Sequence, residues 1–139
     1  MSERAAPSSV PRPVPVPDEA SQPFFDAAAR GKLLIKHCPA CNRSLAPGAE
    51  LCDNCFGTDL EWKEASGKGT VYSFIINHQV NHPGFAGVVP YNIVVVELAE
   101  GPRLNGNYAG PNDEIEVDMP VQVTFEQIGD VSVPKWAKA

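Results

Sequence analysis

The stretch Cys38-Pro-Ala-Cys41, followed ten residues later by Cys52-Asp-Asn-Cys55, decides how this chain folds. Two Cys-x-x-Cys pairs are what a tetrahedral metal requires. A tight knuckle turns both sulfurs of a pair to one side, and two facing knuckles close a four-thiolate site. The flanking residues suit such turns: Asn42 follows Cys41 and Gly57 lies two past Cys55. Asn and Gly tolerate the left-handed backbone a knuckle needs. All four cysteines of the chain are used. The reading is a zinc ribbon with Cys38, Cys41, Cys52 and Cys55 as ligands.

Other uses of four cysteines make different demands. Two disulfides need an oxidising compartment, and the N-terminal Met1-Ser-Glu-Arg-Ala-Ala has no apolar signal region. A redox-active Cys-x-x-Cys stands alone near a βαβ pattern, which is lacking here. A rubredoxin-like iron centre takes the same four ligands and stays open as an alternative to zinc. Either ion would be structural, because four protein thiolates leave no open coordination position. His37 precedes Cys38, but with the ligand set complete it is read as a strand residue beside the metal.

Working outward, Lys32–His37 reads as a strand entering the first knuckle and Leu60–Lys63 as a strand leaving the second. Upstream, Asp18–Arg30 reads as a short helix that Asp18 or Ser21 can cap and Gly31 stops. Phe24 and Phe25 sit near its start, and neighbours on a helix point about 100° apart. One should pack on the ribbon, leaving the other as a candidate partner contact, with burial of both within the chain as the alternative. Residues 1–17 hold Pro7, Pro11, Pro13, Pro15 and Pro17 and read as a solvated arm, with an extended clamp along a partner as the alternative.

From Gly67 the character changes to alternating β segments. Thr70–His78 reads as a strand with Thr70, Tyr72, Phe74, Ile76 and His78 on one face. Asn81–Gly87 is a loop carrying Phe85, and the apolar Tyr91–Leu98 is expected to be the central strand. Glu100-Gly101 makes a tight hairpin to Arg103–Tyr108. Pro111-Asn112-Asp113 starts a turn, and Val121–Ile128 and Val131–Trp136 complete five strands. Five short strands with one irregular crossing match an OB-type barrel, with a small sandwich as the competitor. The expected organisation is mainly β: an arm at 1–17, a helix and rubredoxin-like zinc ribbon at 18–66, and a five-stranded OB-fold barrel at 67–139.

Composition narrows the function classes. The 139 residues carry 11 Lys and Arg against 17 Asp and Glu, a net charge of −6. The arm holds Arg4, Arg12 and Glu3, so the remainder is more acidic still. Nucleic-acid binding rests on neutralising phosphates, so an acidic body without a basic cluster argues against it. No apolar run approaches the roughly 18 residues of a membrane helix. The expected location is the cytoplasm, where thiols stay reduced.

Several motifs occur together in order: Ala-Arg30-Gly-Lys-Leu33, the paired cysteines, Leu60-Glu-Trp62, and Gly69-Thr-Val-Tyr-Ser-Phe74. Pro90-Tyr91, Val95-Val-Glu-Leu98, Glu100-Gly-Pro-Arg103, Met119-Pro-Val121 and Val133-Pro-Lys135 follow. In these the chain, from about residue 18 to 136, resembles the DUF35 family of acyl-CoA-associated proteins, in which a zinc ribbon joins an OB-fold. The resemblance implies a small non-catalytic companion of a thiolase-superfamily enzyme: a thiolase, aldolase or acyltransferase acting on acyl-CoA thioesters. The partner would carry the chemistry. The companion would hold the partner's dimer together in a hetero-oligomer, such as a 2:2 assembly, and could line a route for acyl-CoA.

The residues fit a companion better than an enzyme. Ser44, Ser66 and Ser73 lie in no nucleophile-elbow context. His78 and His82 are the candidate bases, with Glu97 or Asp113 as orienters, and an independent thioester hydrolase built on His78 is one alternative function. A single-stranded nucleic-acid binder is the other. No catalytic residue is assigned. Candidate contact residues are the loop His78–Gly87 with Phe85, and Pro134-Lys135-Trp136 near the C-terminus, with Phe85 or Trp136 closing one end of the barrel as the equal alternative. Lys68, Arg103 and Lys135 are lone cations that could meet CoA phosphates.

Overall fold

The structure, a computed structural model, describes residues 11–139. Expectations for residues 1–10 of the arm fall outside it. The helix α1 spans Gln22–Ala29, shorter than the expected Asp18–Arg30. Asp18 and Ser21 are spent on one another in the preceding turn, where the Ser21 N–H donates to Asp18 Oδ1 at 2.8 Å and the Asp18 N–H to Ser21 Oγ at 3.0 Å. Gly31, at φ +75°, ends the helix, its N–H donating to the Ala28 carbonyl at 3.0 Å.

A three-stranded antiparallel sheet follows, in the order β2-β1-β3, from β1 (Leu34–Cys38), β2 (Arg43–Leu45) and β3 (Glu61–Glu64). β2 was not expected, being only three residues long and lacking alternation; its register against Lys36–Cys38 makes a strand of it. The second sheet has the order β6-β5-β4-β7-β8, from β4 (Lys68–Asn77), β5 (Tyr91–Leu98), β6 (Arg103–Gly106), β7 (Pro120–Ile128) and β8 (Val131–Lys138). β4 rather than β5 is therefore central. β5 buries alternate residues instead of both faces.

The sheet curls, and its two edges meet at one end. Beyond β6 the chain bridges β8 in parallel at Tyr108 and Trp136: the Trp136 N–H donates to the Asn107 carbonyl at 2.9 Å and the Ala109 N–H to the Trp136 carbonyl at 2.7 Å. The order of strands and this parallel closure are those of an OB-fold, and a short 3-10 turn, Asn112–Glu114, stands between β6 and β7.

The expected face of β4 is corrected by a bulge. Val71 pairs with Val96 and Ser73 with Val95, leaving Tyr72 as the extra residue. Alternation therefore reverses part-way: Val71 is fully buried and Phe74 and Ile76 pack on the core, whereas Tyr72 is 47% exposed and Ile75 59%.

One core joins ribbon and barrel. Leu33, Ile35 and Ala65 pack with Val71, Val94, Val96, Leu98, Tyr108, Ile115, Val121 and Trp136. Phe24 packs on this shared core, and its ring meets that of Phe25 edge-on with centroids 5.3 Å apart. A separate small cluster of Cys38, Leu45 and Cys52, backed by Ala49 and Leu60, surrounds the sulfurs. Residues 11–17 run along the surface with Val16 90% exposed, and Arg12 among them makes specific contacts. Arg12 lies over the Phe85 ring at 5.1 Å and pairs with Glu126 at 3.7 Å. Gly84 gives the arm room, since a Cβ there would stand 2.5 Å from the Pro11 carbonyl oxygen.

Candidate metal centre and contact surfaces

β1 delivers Cys38 and the turn after it Cys41; Cys52 and Cys55 come from the second turn, between β2 and β3. Each knuckle closes on itself: the Asn42 N–H donates to the Cys38 carbonyl at 2.8 Å and the Phe56 N–H to the Cys52 carbonyl at 2.9 Å. The residue directly after each pair is left-handed, Asn42 at φ +59° and Phe56 at φ +61°. Gly57, expected to fill that role, instead accepts the Cys52 N–H at 2.8 Å. The two turns are equivalent position by position, which places the left-handed residue one step earlier in the second.

The four sulfurs lie within 4.8 Å of one another, Cys38 and Cys55 at 3.6 Å and Cys41 and Cys52 at 3.4 Å. Metal–sulfur bonds of about 2.3 Å put tetrahedral sulfurs about 3.8 Å apart, so the set has the size of a thiolate cage around one ion. The protonation pattern agrees. Backbone N–H groups, that of Cys55 foremost, draw the Cys52 thiol down to about 6. Its sulfur then pushes the neighbouring Cys41 up to about 11. Thiolates this close ionise together only with a cation between them. The residues fit a metal ion.

Polar clamps hold the cage. Both ring nitrogens of His37 face acceptors, Nε2 the Asn42 Oδ1 at 2.7 Å and Nδ1 the Glu61 Oε1 at 2.9 Å. These partners, Asn42 first, raise the pKa of His37 above its ordinary value. As expected it is a strand residue beside the sulfurs. Arg43 ties the knuckles together through Asp53, with Nη2 to Oδ2 at 3.1 Å. Lys36 Nζ donates to the Ala49 carbonyl at 2.7 Å and lies over the Trp62 ring at 4.9 Å.

The candidate catalytic residues do not converge. His78 is exposed just beyond the end of β4, and it shares no hydrogen bond with Asp113 or Glu97 among the described residues. His82 Nδ1 is used locally, accepting the Gly84 N–H at 2.9 Å to open the 3-10 turn Pro83–Phe85. Glu97 pairs with Arg103 at 3.7 Å.

Of the candidate contacts, Trp136 takes the barrel-closing alternative: at 1% exposure it belongs to the core. Phe85 is half-buried against Tyr91, ring centroids 5.6 Å apart. Lys135 pairs with Glu126, and Arg103 stacks on Tyr72 at 3.7 Å, so neither is a lone cation. Arg12, Phe85, Tyr91, Asn105 and Lys135 edge a cleft of about 610 Å³ at the barrel mouth. A second cleft, about 740 Å³, lies between the ribbon and the β5–β6 hairpin.

Asn92 was missed. It occupies an inward position of β5, is 6% exposed, and clasps the closing segment. Its Oδ1 accepts the Tyr108 N–H at 2.6 Å, while Nδ2 donates to the Tyr108 carbonyl at 3.1 Å and to Asn112 Oδ1 at 2.9 Å. An Asn interrupting an apolar alternation is its only mark in the sequence.

Residues 25–61 match the family model described as ChsH2, rubredoxin-like zinc ribbon domain, and residues 62–126 that described as ChsH2, C-terminal OB-fold domain. A DUF35 domain-containing scaffold protein of Methanocaldococcus jannaschii is 33% identical over 98 residues, 69% of each chain. The chain belongs to the DUF35 family. Among solved structures, the chain titled Ltp2-ChsH2(DUF35) aldolase superposes on this DUF35 protein with TM-score 0.78 and 34% identity. The match covers 90% of this chain and 98% of the other. A probable enoyl-CoA hydratase alpha subunit of Thermomonospora curvata is 40% identical over 111 residues. That covers 79% of the DUF35 chain but 34% of the subunit, so the chain spans about a third of that relative. No helix among the described residues is long and apolar enough to cross a membrane.

Proposed function

We propose that this DUF35 chain is a non-catalytic companion subunit of a thiolase-superfamily enzyme acting on acyl-CoA thioesters, stapled by one structural zinc ion. The observation that carries the reading is the likeness, at 34% identity over nearly the whole solved chain, to the DUF35 component of an aldolase named for two proteins together. Cys38, Cys41, Cys52 and Cys55 would hold the ion, which supplies no chemistry beyond cross-linking the two knuckles, because all four positions are taken by protein. Iron would occupy the same cage and would colour the protein, whereas zinc leaves it colourless.

Glu97 is paired with Arg103 and His82 with the Gly84 N–H, so neither is set to serve a hydrolase built on His78. Arg43 and Arg103 are each paired with a carboxylate of their own, and Arg12 and Lys135 share Glu126, which speaks against a phosphate-tracking groove. In the complex the zinc ribbon and the barrel, sharing one core, would act as one rigid unit on the partner.

The test is co-expression with a thiolase-superfamily subunit from the same organism. Co-purification as a stable complex, with acyl-CoA turnover by the large subunit falling when this chain is removed, is the expected result. Full activity and stability of the large subunit alone would refute it. A second reading rests on the 40% identity to a hydratase alpha subunit: the chain would then be the ribbon-and-barrel part of an enoyl-CoA hydratase assembly. Water addition to enoyl-CoA, in place of carbon–carbon bond making or breaking, separates the two.

A further inference from the structure

The second knuckle carries a residue that its own fold does not favour. Phe56 sits at φ +61°, a region in which an aromatic side chain is an outlier. The equivalent position of the first knuckle is filled by Asn42 at φ +59°, a residue suited to that backbone and bonded to His37. Among the described residues Phe56 finds no compensating packing. It is 73% exposed and has no place in the buried cluster around the sulfurs, which Leu45, Ala49 and Leu60 complete. Leu51, on the other flank of the same knuckle, is 46% exposed. Exposed carboxylates at Glu50 and Asp59 surround the pair in sequence, while Asp53 is already held by Arg43.

A strained backbone supporting an exposed aromatic marks a site whose return comes from outside the chain. We infer that Phe56, with Leu51, is the anchor by which the metal ribbon docks on its protein partner, entering an apolar pocket with a basic rim. The inference rests on the companion-subunit reading and commits to the thiolase-superfamily subunit as the occupant. Charge and shape both favour it over nucleic acid: the knob is apolar and its surroundings acidic. The knuckle is also stiffened by the cage beside it, so the anchor is presented without a large loss of chain freedom on binding.

The experiment compares wild type with Phe56→Asn, which gives the second knuckle the residue of the first. Asn relieves the backbone, so the free chain should keep its metal content and have an equal or higher thermal midpoint. Affinity for the separately purified thiolase-superfamily subunit, read by calorimetry, should fall by at least about tenfold. Undiminished affinity in Phe56→Asn overturns the docking assignment and leaves the companion reading standing. A lowered thermal midpoint also overturns it, since Phe56 would then serve the fold. Loss of a wild-type homodimer on substitution would make a second copy the occupant and overturn the stated partner. If wild type does not bind the large subunit at all, the companion reading and the docking assignment fall together.

Discussion

Replacing Asn92 by alanine removes a side chain with three hydrogen bonds, two of them to the backbone of Tyr108, the residue at which the barrel closes. Tyr108 is 4% exposed, so its freed N–H and carbonyl are largely withdrawn from solvent. Each buried backbone group left without a partner costs about 1–3 kcal/mol, and the lost link to Asn112 adds about 1 kcal/mol. The expected destabilisation is therefore about 3–7 kcal/mol, a large share of the ~5–15 kcal/mol that holds a domain together. Urea unfolding followed by far-UV circular dichroism reads it as a lower midpoint with an unchanged slope. Tryptophan fluorescence should track the same transition, because Trp136 is bridged to the segment Asn92 holds. A loss below about 1 kcal/mol would refute the reasoning, since mutational costs that small belong to hydrogen bonds that water replaces.

Further outcomes follow from other parts of the molecule. Chelation, or Cys52→Ser, should release one zinc per chain and expose the amides of residues 38–60 to hydrogen exchange while the barrel amides stay protected; protection throughout would refute the cage. Tyr108 donates its hydroxyl to Glu114, and that bond first, then burial, pushes its pKa up to about 12 from 10.0. The neutral phenol is favoured by folding, so its contribution is present below pH 10.0 and lost as pH rises toward about 12. Glu114→Gln should lower the midpoint of tyrosinate absorbance, and an unmoved titration would count against the contact. Gly69→Ala should destabilise by about 1–3 kcal/mol, because an added side chain must overpack a closed site. Its Cβ would stand 2.5 Å from the Glu97 carbonyl oxygen, so a thermal midpoint unchanged from wild type would show that β4 and β5 are less closely apposed than described.

The sequence by itself determined what depends on near neighbours. Two Cys-x-x-Cys pairs ten residues apart, each followed by turn-forming residues, specify facing knuckles through local sterics, so the four-sulfur cluster was legible residue by residue. Alternation and turn residues placed the five strands of the barrel to within a few positions. Three features were decided only in three dimensions. The bulge at Tyr72 depends on the register with β5, and a slip of one residue turns half a strand over. β2 is a strand only because β1 offers it a ladder. The roles of Asn92 and Trp136 arise where the ends of the sheet meet, Tyr108 lying 16 positions along the chain from Asn92. Turns and ligand pairs are set by sterics within a few bonds, whereas closure and burial are set by groups that only the folded chain brings together.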